Sequence, residues 1–424
     1  MDGFMDRTYQ YNLAIRFEET ASRFGERVAI WLSEDERIDY ASLNQLANRT
    51  ARALSARGAT KGDVICLSGE KTLNTFACML ACLKLGCIYT ILDPESPVER
   101  RRKILNTCRP RLVITEEDLA LDEFDDSNLS ETRDVNGSDP AYIMFTSGST
   151  GFPKGALMTH ANVLNLIEWS RKTFSITVDD VLTNVNALYF DNSVFDFYSA
   201  LFIGARLVPF SKAEVSDPAL LVQKLDRAAC TLWFSVPSLL IFLQTMKAAD
   251  GKHLNSIRRF VFGGEGYPKA KLKALFDAYS PQSEFFNVYG PTECTCICSC
   301  YKLGDSDFDD LQGLPPLGKI ASNFSFLILD EDSQRVADGE VGELCLLGPN
   351  VGKGYYNDPD RTALAFIQNP HNESFPEVMY KTGDLVRLDP ADGKLYICGR
   401  RDNQIKHMGY RIELEEIENA LHCL

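Results

Sequence analysis

The sequence predicts an α/β fold, with βαβ layers around parallel sheets in its long first part and a smaller, more antiparallel unit after Gly318. Three observations carry that reading. Short apolar runs alternate with segments of helical period from Leu13 to Phe262. From Gly318 the rhythm changes to short strands separated by Asp, Gly and Pro. The 424 residues, 45% hydrophobic and 24% charged, are ample for two or three globular cores or subdomains.

The elements follow in order. Leu13 to Gly58 reads helix, strand, helix: Phe17 and Ala21 share a face, Val28 to Trp31 is extended, and Leu43 to Leu54 is helical until Gly58 stops it. Val64 to Ser68 is a second strand. Thr72 to Leu85 carries Phe76, Met79, Leu80 and Leu83 at helical spacing, ends at Gly86 and returns as the strand Cys87 to Leu92. Leu112 to Thr115 and Ala141 to Phe145 continue the sheet on either side of Glu116 to Asp139. There ten acids face Arg133 alone, a net of −9 that reads as a solvated connector. Asn162 to Phe174, Leu201 to Pro209, Leu220 to Ala229, Thr231 to Ser235, Ser238 to Met246 and Arg259 to Phe262 repeat the βα alternation. Phe326 to Leu329, Gly342 to Leu347 and Lys394 to Cys398 are the later short strands.

Charge and cysteine usage narrow the function. A formal net charge of −15 argues against nucleic acid and anionic membrane as partners. No run approaches the roughly 20 apolar residues of a membrane span. Thirteen cysteines without a signal peptide point to reduced thiols in the cytoplasm. Cys294, Cys296, Cys298 and Cys300 recur with period two, which predicts one face of a strand and core packing. Zinc sites space their ligands C-x₂₋₄-C.

The stretch Phe145 to Gly155 carries the most chemistry. Directly after an apolar strand it places Thr146, Ser147, Gly148, Ser149, Thr150 and Gly151, then Lys154 between Pro153 and Gly155. Glycines that permit positive φ turn backbone N–H groups into one concavity, four hydroxyls add donors, and the lysine adds a mobile cation. That is a cradle for a polyanion, most naturally a nucleotide triphosphate. The order is not G-x-x-x-x-G-K-[ST], so a P-loop is disfavoured. A Gly/Ser surface turn is the bland alternative.

Three further motifs follow in order: Asn287 to Glu293 (Asn-Val-Tyr-Gly-Pro-Thr-Glu), Tyr380 to Asp384 (Tyr-Lys-Thr-Gly-Asp) and Gly399 to Lys406. With Leu83 to Tyr89, Gly352 to Tyr355 and Met408 to Glu413 they make the chain resemble the adenylate-forming enzymes, and among them the adenylation domains of non-ribosomal peptide synthetases, from about Phe17 to the last residue. The resemblance implies a large N-terminal core over 1–401, with a β-barrel-like antiparallel subdomain over 316–400, and a hinge at Asp402 opening the start of a small C-terminal domain over 402–424. It implies that a substrate carboxylate attacks the α-phosphorus of ATP, giving an acyl-adenylate and pyrophosphate, and that the acyl group passes to the phosphopantetheine thiol of a carrier protein, with condensation or modifying domains as neighbours. Lys154, Thr292 and Glu293 are then catalytic. Glu293 is the Mg²⁺ ligand, in keeping with that cation's preference for hard oxygens. Gly264, Glu265, Asn287, Tyr289, Gly290, Thr292, Asp384 and Arg400 join the loop in holding ATP, with Tyr289 stacking on adenine and Asp384 accepting from the ribose. His160 matches a family position beyond the loop, and is equally well read as structural.

Substrate choice follows by the same resemblance. Asp191 matches the carboxylate that binds an α-ammonium, and a buried acid facing a pocket is costly unless it meets such a cation. A helix cap is the alternative. The aligned positions Asn192, Phe195, Phe234, Val261, Gly263, Val288, Cys296 and Ile297 are apolar apart from Asn192 and carry no countercharge. They predict an uncharged, mostly apolar side chain, of isoleucine or valine type. An acyl- or aryl-CoA ligase would not need Asp191, and a non-catalytic nucleotide-binding module would need no chemistry at all. The sequence stops inside an amphipathic helix begun at Leu414 (Leu414, Ile417, Leu421) and so reads as a truncated piece, with natural interruption by a modifying domain the lesser reading. The family's C-terminal lysine is not in it, and slow turnover is the expectation.

Overall fold

The structure is a computed structural model that describes residues 9–68, 70–115, 119–148, 152–407, 410–414, 417 and 421. Two sheets with parallel cores dominate it. The larger runs Lys319–Ile320, Ser299–Lys302, Glu284–Tyr289, Arg259–Gly263, Leu232–Ser235, Val181–Asn184, Arg206–Pro209, Val28–Trp31, Arg37–Asp39. Its pairs from Glu284–Tyr289 to Val28–Trp31 are parallel, and its edge strands are antiparallel. The second runs Leu112–Ile114, Val64–Ser68, Ile88–Leu92, Pro140–Thr146, Lys154–Thr159, antiparallel only at its last pair. The α/β expectation stands.

Local chemistry explains the connections. The helix Leu73–Leu85 starts at Thr72, whose hydroxyl accepts from the Thr75 amide, and ends at Gly86 with φ 66°, a left-handed cap that suits glycine. Being apolar nearly all round, it is buried as a layer rather than laid on the surface. The helix His160–Thr173 carries a reciprocal capping box between Thr159 and Asn162. Helices Leu13–Arg23, Tyr40–Ala56, Leu73–Leu85, His160–Thr173 and Asn192–Leu201 share one apolar cluster with both sheets.

The third sheet is wholly antiparallel: Ser325–Leu329, Val341–Leu347, Val378–Leu388 and Phe366–Gln368 in that order, with Leu395–Arg400 also pairing Val378–Leu388. It is the β-rich unit expected after residue 316, but its ladder is open where a barrel-like closure was expected. A separate hairpin pairs Gln404–His407 with Tyr410–Glu413. Among the described residues no helix is long and apolar enough to cross a membrane.

Two expectations change. The acidic stretch is anchored where it is described: Asp125 and Asp126 pair with Arg52 and Arg49 at 3.1 and 3.0 Å on the helix Tyr40–Ala56, and Leu129 and Thr132 are buried. Residues 116–118 lie outside the description. The alternating cysteines do not share a strand: Thr292–Cys294 is a 3₁₀ turn, Thr295 and Cys296 have φ of 63° and 73°, and only Ser299–Lys302 is extended. Period two was satisfied by a tight turn. Core packing holds, since Cys294, Cys296 and Cys298 are buried free thiols and Cys300 is half-buried.

Candidate active site

The carboxyl ends of the parallel strands Leu232–Ser235, Arg259–Gly263 and Glu284–Tyr289, the loop after Pro140–Thr146, and Val378–Leu388 meet around a cavity of about 570 Å³. Ligands of open α/β sheets bind at such strand ends.

One end is apolar. Phe234, Gly263, Val288, Cys296 and Ile297 line it, together with Asp191 and Asn192. Parallel register sets Phe234 beside Val261 and Gly263 beside Val288. A Cβ on Gly263 would stand 2.4 Å from the Val288 carbonyl, so only glycine keeps this strand end open. Phe195 and Val261 are fully buried and support the wall from behind, Phe195 meeting Phe234 edge-on at 4.9 Å. Asp191 begins the helix Asn192–Leu201 yet makes no side-chain cap; its Oδ2 accepts the Thr292 hydroxyl at 2.6 Å. The capping alternative therefore fails, and Asp191 and Thr292 form one polar edge of the apolar end.

Sequence reasoning missed a polar layer beneath this wall. Lys71 and Asn186 also line the cavity. Asn186 Nδ2 donates to Asp196 Oδ2 and to the Phe234 carbonyl, both at 3.0 Å, while Lys71 Nζ donates to the Asn184 carbonyl at 2.7 Å. Burial pushes Lys71 down to about 7 and Asp196 up to about 8, each partly offset by the other's charge. The Asn-x-Asn pair at 184 and 186 was the signal available, but nothing local ties it to residue 71.

The middle of the cavity carries charge. The third sheet pairs Asp384 directly with Arg400, and their side chains form an ion pair. Tyr289 donates its hydroxyl to the other Asp384 oxygen at 2.5 Å; burial and then that carboxylate hold its phenol far above the ordinary range, so it stays a donor. Arg400 also grips Asp402 through Nε at 2.6 Å and Nη2 at 2.7 Å, linking the expected hinge to the expected ribose site. Gly264 and Gly290 line the wall. Asn287 and Glu265 do not: Asn287 Nδ2 donates to the Pro316 carbonyl at 2.8 Å, and Glu265 accepts from the Ser238 amide at 3.3 Å, in the first turn of the helix Pro237–Thr245.

At the loop end, Thr146 and Ser147 line the cavity, and the buried Thr146 hydroxyl has no hydrogen-bond partner among the described residues. A Cβ on Gly148 would meet the Phe152 carbonyl at 2.2 Å, so the loop folds tightly on itself there. Ser149, Thr150 and Gly151 lie outside the described residues. Lys154 opens the strand Lys154–Thr159 and reaches Glu413 Oε1 at 3.3 Å, its ammonium 5.8 Å from the Tyr355 ring centre. Tyr355 donates to Glu293 Oε1 at 2.9 Å. Among the described residues no three His, Cys, Asp or Glu side chains gather as a metal cage. Glu293, a buried carboxylate, suits Mg²⁺ shared with phosphate oxygens and water instead. His160 is structural: fully buried, with Nδ1 accepting the Leu13 amide at 3.0 Å.

Comparison with known proteins bears on this geometry. The family profile described as AMP-binding enzyme matches residues 17–356. The chain is 34% identical over 425 residues to a dimodular nonribosomal peptide synthase of Bacillus subtilis (strain 168), and 33% identical over 424 residues to tyrocidine synthase 1 of Brevibacillus parabrevis. Each match covers 96% of this chain but only 17% and 37% of the relative. Among solved structures, IdnL1 superposes with a TM-score of 0.85 at 27% identity, covering 97% of this chain and 87% of that one.

Proposed function

We propose that this chain, which belongs to the AMP-binding enzyme family, is an ATP-dependent adenylating ligase of the non-ribosomal peptide synthetase kind, and that the acid it activates is an amino acid with an uncharged, branched aliphatic side chain. The observation that carries this is Asp191: a carboxylate at a helix start that declines to cap the helix, held instead by Thr292 on the rim of an apolar cavity. A carboxylate so placed has an α-ammonium as its natural counter-ion. Phe234, Val288, Cys296 and Ile297 then enclose the side chain, and Asn192 limits its length or meets a polar atom.

In the proposed reaction the amino-acid carboxylate attacks the α-phosphorus of ATP, forming the aminoacyl-adenylate as the bond to pyrophosphate breaks. Asp384 and Arg400 orient the ribose, with Tyr289 against the base. Thr146, Ser147 and Lys154 donate to the phosphates, with Glu293 on the Mg²⁺ that offsets their charge. No protein nucleophile is needed. The acyl group would then pass to the phosphopantetheine thiol of a carrier protein.

Calorimetric titration in the presence of ATP decides the substrate class. Isoleucine or valine should bind, and fatty and aryl acids should not; binding confined to acids without an amine would transfer the chain to the acyl- or aryl-activating members of the family.

A further inference from the structure

Lys154 is held by a buried carboxylate. It contacts Glu413 directly, at 3.3 Å and across 259 residues of sequence, and it packs against Tyr355, which is hydrogen-bonded to Glu293. The Lys154 side chain is 14% exposed and that of Glu413 only 3%. Gln404, opposite Glu413 in the hairpin register, donates to the same Oε1 at 2.7 Å. Gln404 and Lys406 meanwhile line the cavity, so the hairpin that carries Glu413 forms part of its wall.

We propose that Glu413 is a positioning residue that competes with polyphosphate for Lys154, so that this hairpin and a bound pyrophosphate group are alternative partners of one ammonium. The proposal rests on the reading of the loop end as the phosphate site. A carboxylate this buried depends on its cation and its amide donor. A polyphosphate on Lys154 puts several negative charges beside it in the same low-dielectric space. The ammonium's stronger attraction is to the anion of greater charge. Glu413 therefore gives way, and the hairpin loosens from the cavity wall. Linkage makes the relation reciprocal: whatever holds the hairpin down weakens pyrophosphate binding by the same factor.

The test is the affinity of the 424-residue chain for inorganic pyrophosphate with Mg²⁺, measured by calorimetry. Glu413→Gln keeps size and polarity and removes the charge, and should tighten binding about five- to tenfold. In a Lys154→Met background the same change should have no effect. Merely structural damage would weaken binding, so unchanged or weaker binding in Glu413→Gln overturns the proposal. A variant-free measurement stands beside it: amide exchange over 404–407 and 410–413 should speed up when pyrophosphate is added to the native chain, and unchanged or slower exchange overturns the proposal as well. If the native chain binds neither ATP nor pyrophosphate, the reading of the loop end falls and this proposal with it. Equal binding by native and variant chains removes the proposal alone.

Discussion

The two ends of the cavity are built on different principles. At the substrate end, Phe234, Gly263 and Val288 are the last residues of parallel strands or their neighbours, and Phe195 and Val261 lock them from behind with no exposed surface. At the phosphate end the side chains that matter are charged, and they are held by one another: Asp384 by Arg400 and Tyr289, Lys154 by Glu413, Glu293 by Tyr355. Close packing gives the first end one shape. Ion pairs give the second end partners that a ligand can exchange. The cavity thus combines a fixed mould with a set of replaceable contacts, and that division can be attacked from either side.

Asp191→Ala attacks it where the effect is largest. Asp191 is a half-buried carboxylate beside the apolar residues of the substrate end, and truncating one partner of a hydrogen-bonded charge pair costs on the order of 3 kcal/mol, or about a hundredfold in amino-acid affinity. ATP affinity should change little, because Asp384, Arg400 and Lys154 keep their partners. Parallel loss of both affinities would show that the ends are not separate. Gly290→Ala comes next: its Cβ would lie 2.2 Å from the Cys296 carbonyl and 2.7 Å from the Ile297 Cα, so backbone must move. We expect about 3 kcal/mol of destabilisation or more by denaturant unfolding. Gly304→Ala, with nothing within 4 Å of the new methyl, should stay within about 0.5 kcal/mol of the native chain.

This division also explains what could be read in advance. Alternating apolar runs announce strands such as Leu232–Ser235 and Arg259–Gly263, and the wall residues of the substrate end lie on them or just beyond them. The cradle of Thr146, Ser147 and Gly148 was legible for a related reason, since hydroxyls and glycines after a buried strand have few other uses. Glu413 was not: its link to Lys154 spans 259 residues and obeys no period. Asn287 was legible as a member of its motif, but the donation of its amide to the Pro316 carbonyl, 29 residues away, was not. The cysteines at 294, 296 and 298 show that period two is also met by a tight turn, here one in which every residue from 292 to 299 is buried.

A further prediction concerns the scaffold under the phosphate end. His160 follows the strand Lys154–Thr159 and is pushed down to about 4, first by burial and then by Lys61, against the opposing pull of Asp139. Its folded pKa lies below the ordinary 6.5, so the unfolded chain binds the extra proton in between. Stability should therefore be fully present above about pH 6.5 and fall by about 3 kcal/mol as pH drops towards 4. His160→Asn keeps an acceptor for the Leu13 amide and removes the titration. If the acid slope between pH 6.5 and 4 is the same in that variant, the loss belongs to other groups.

Removal of a single hydroxyl is the most discriminating change. Tyr355→Phe leaves the ring against Phe366, at 5.5 Å edge-on, and beside the Lys154 ammonium, and deletes only the hydroxyl that donates to Glu293. A hydrogen bond to a buried carboxylate is worth about 1.5 kcal/mol, and that is the loss of stability expected, seen as a lower denaturation midpoint with an unchanged slope. Glu293 is fully buried, so freeing it of its donor raises its demand for a cation. The Mg²⁺ concentration needed for half-maximal pyrophosphate binding should fall. Amino-acid affinity should not move, because the hydroxyl removed donates to Glu293 and not to the substrate wall. If it shifts by as much as the Mg²⁺ requirement, the replaceable contacts and the fixed mould are one cooperative unit, and the contrast between the two ends collapses.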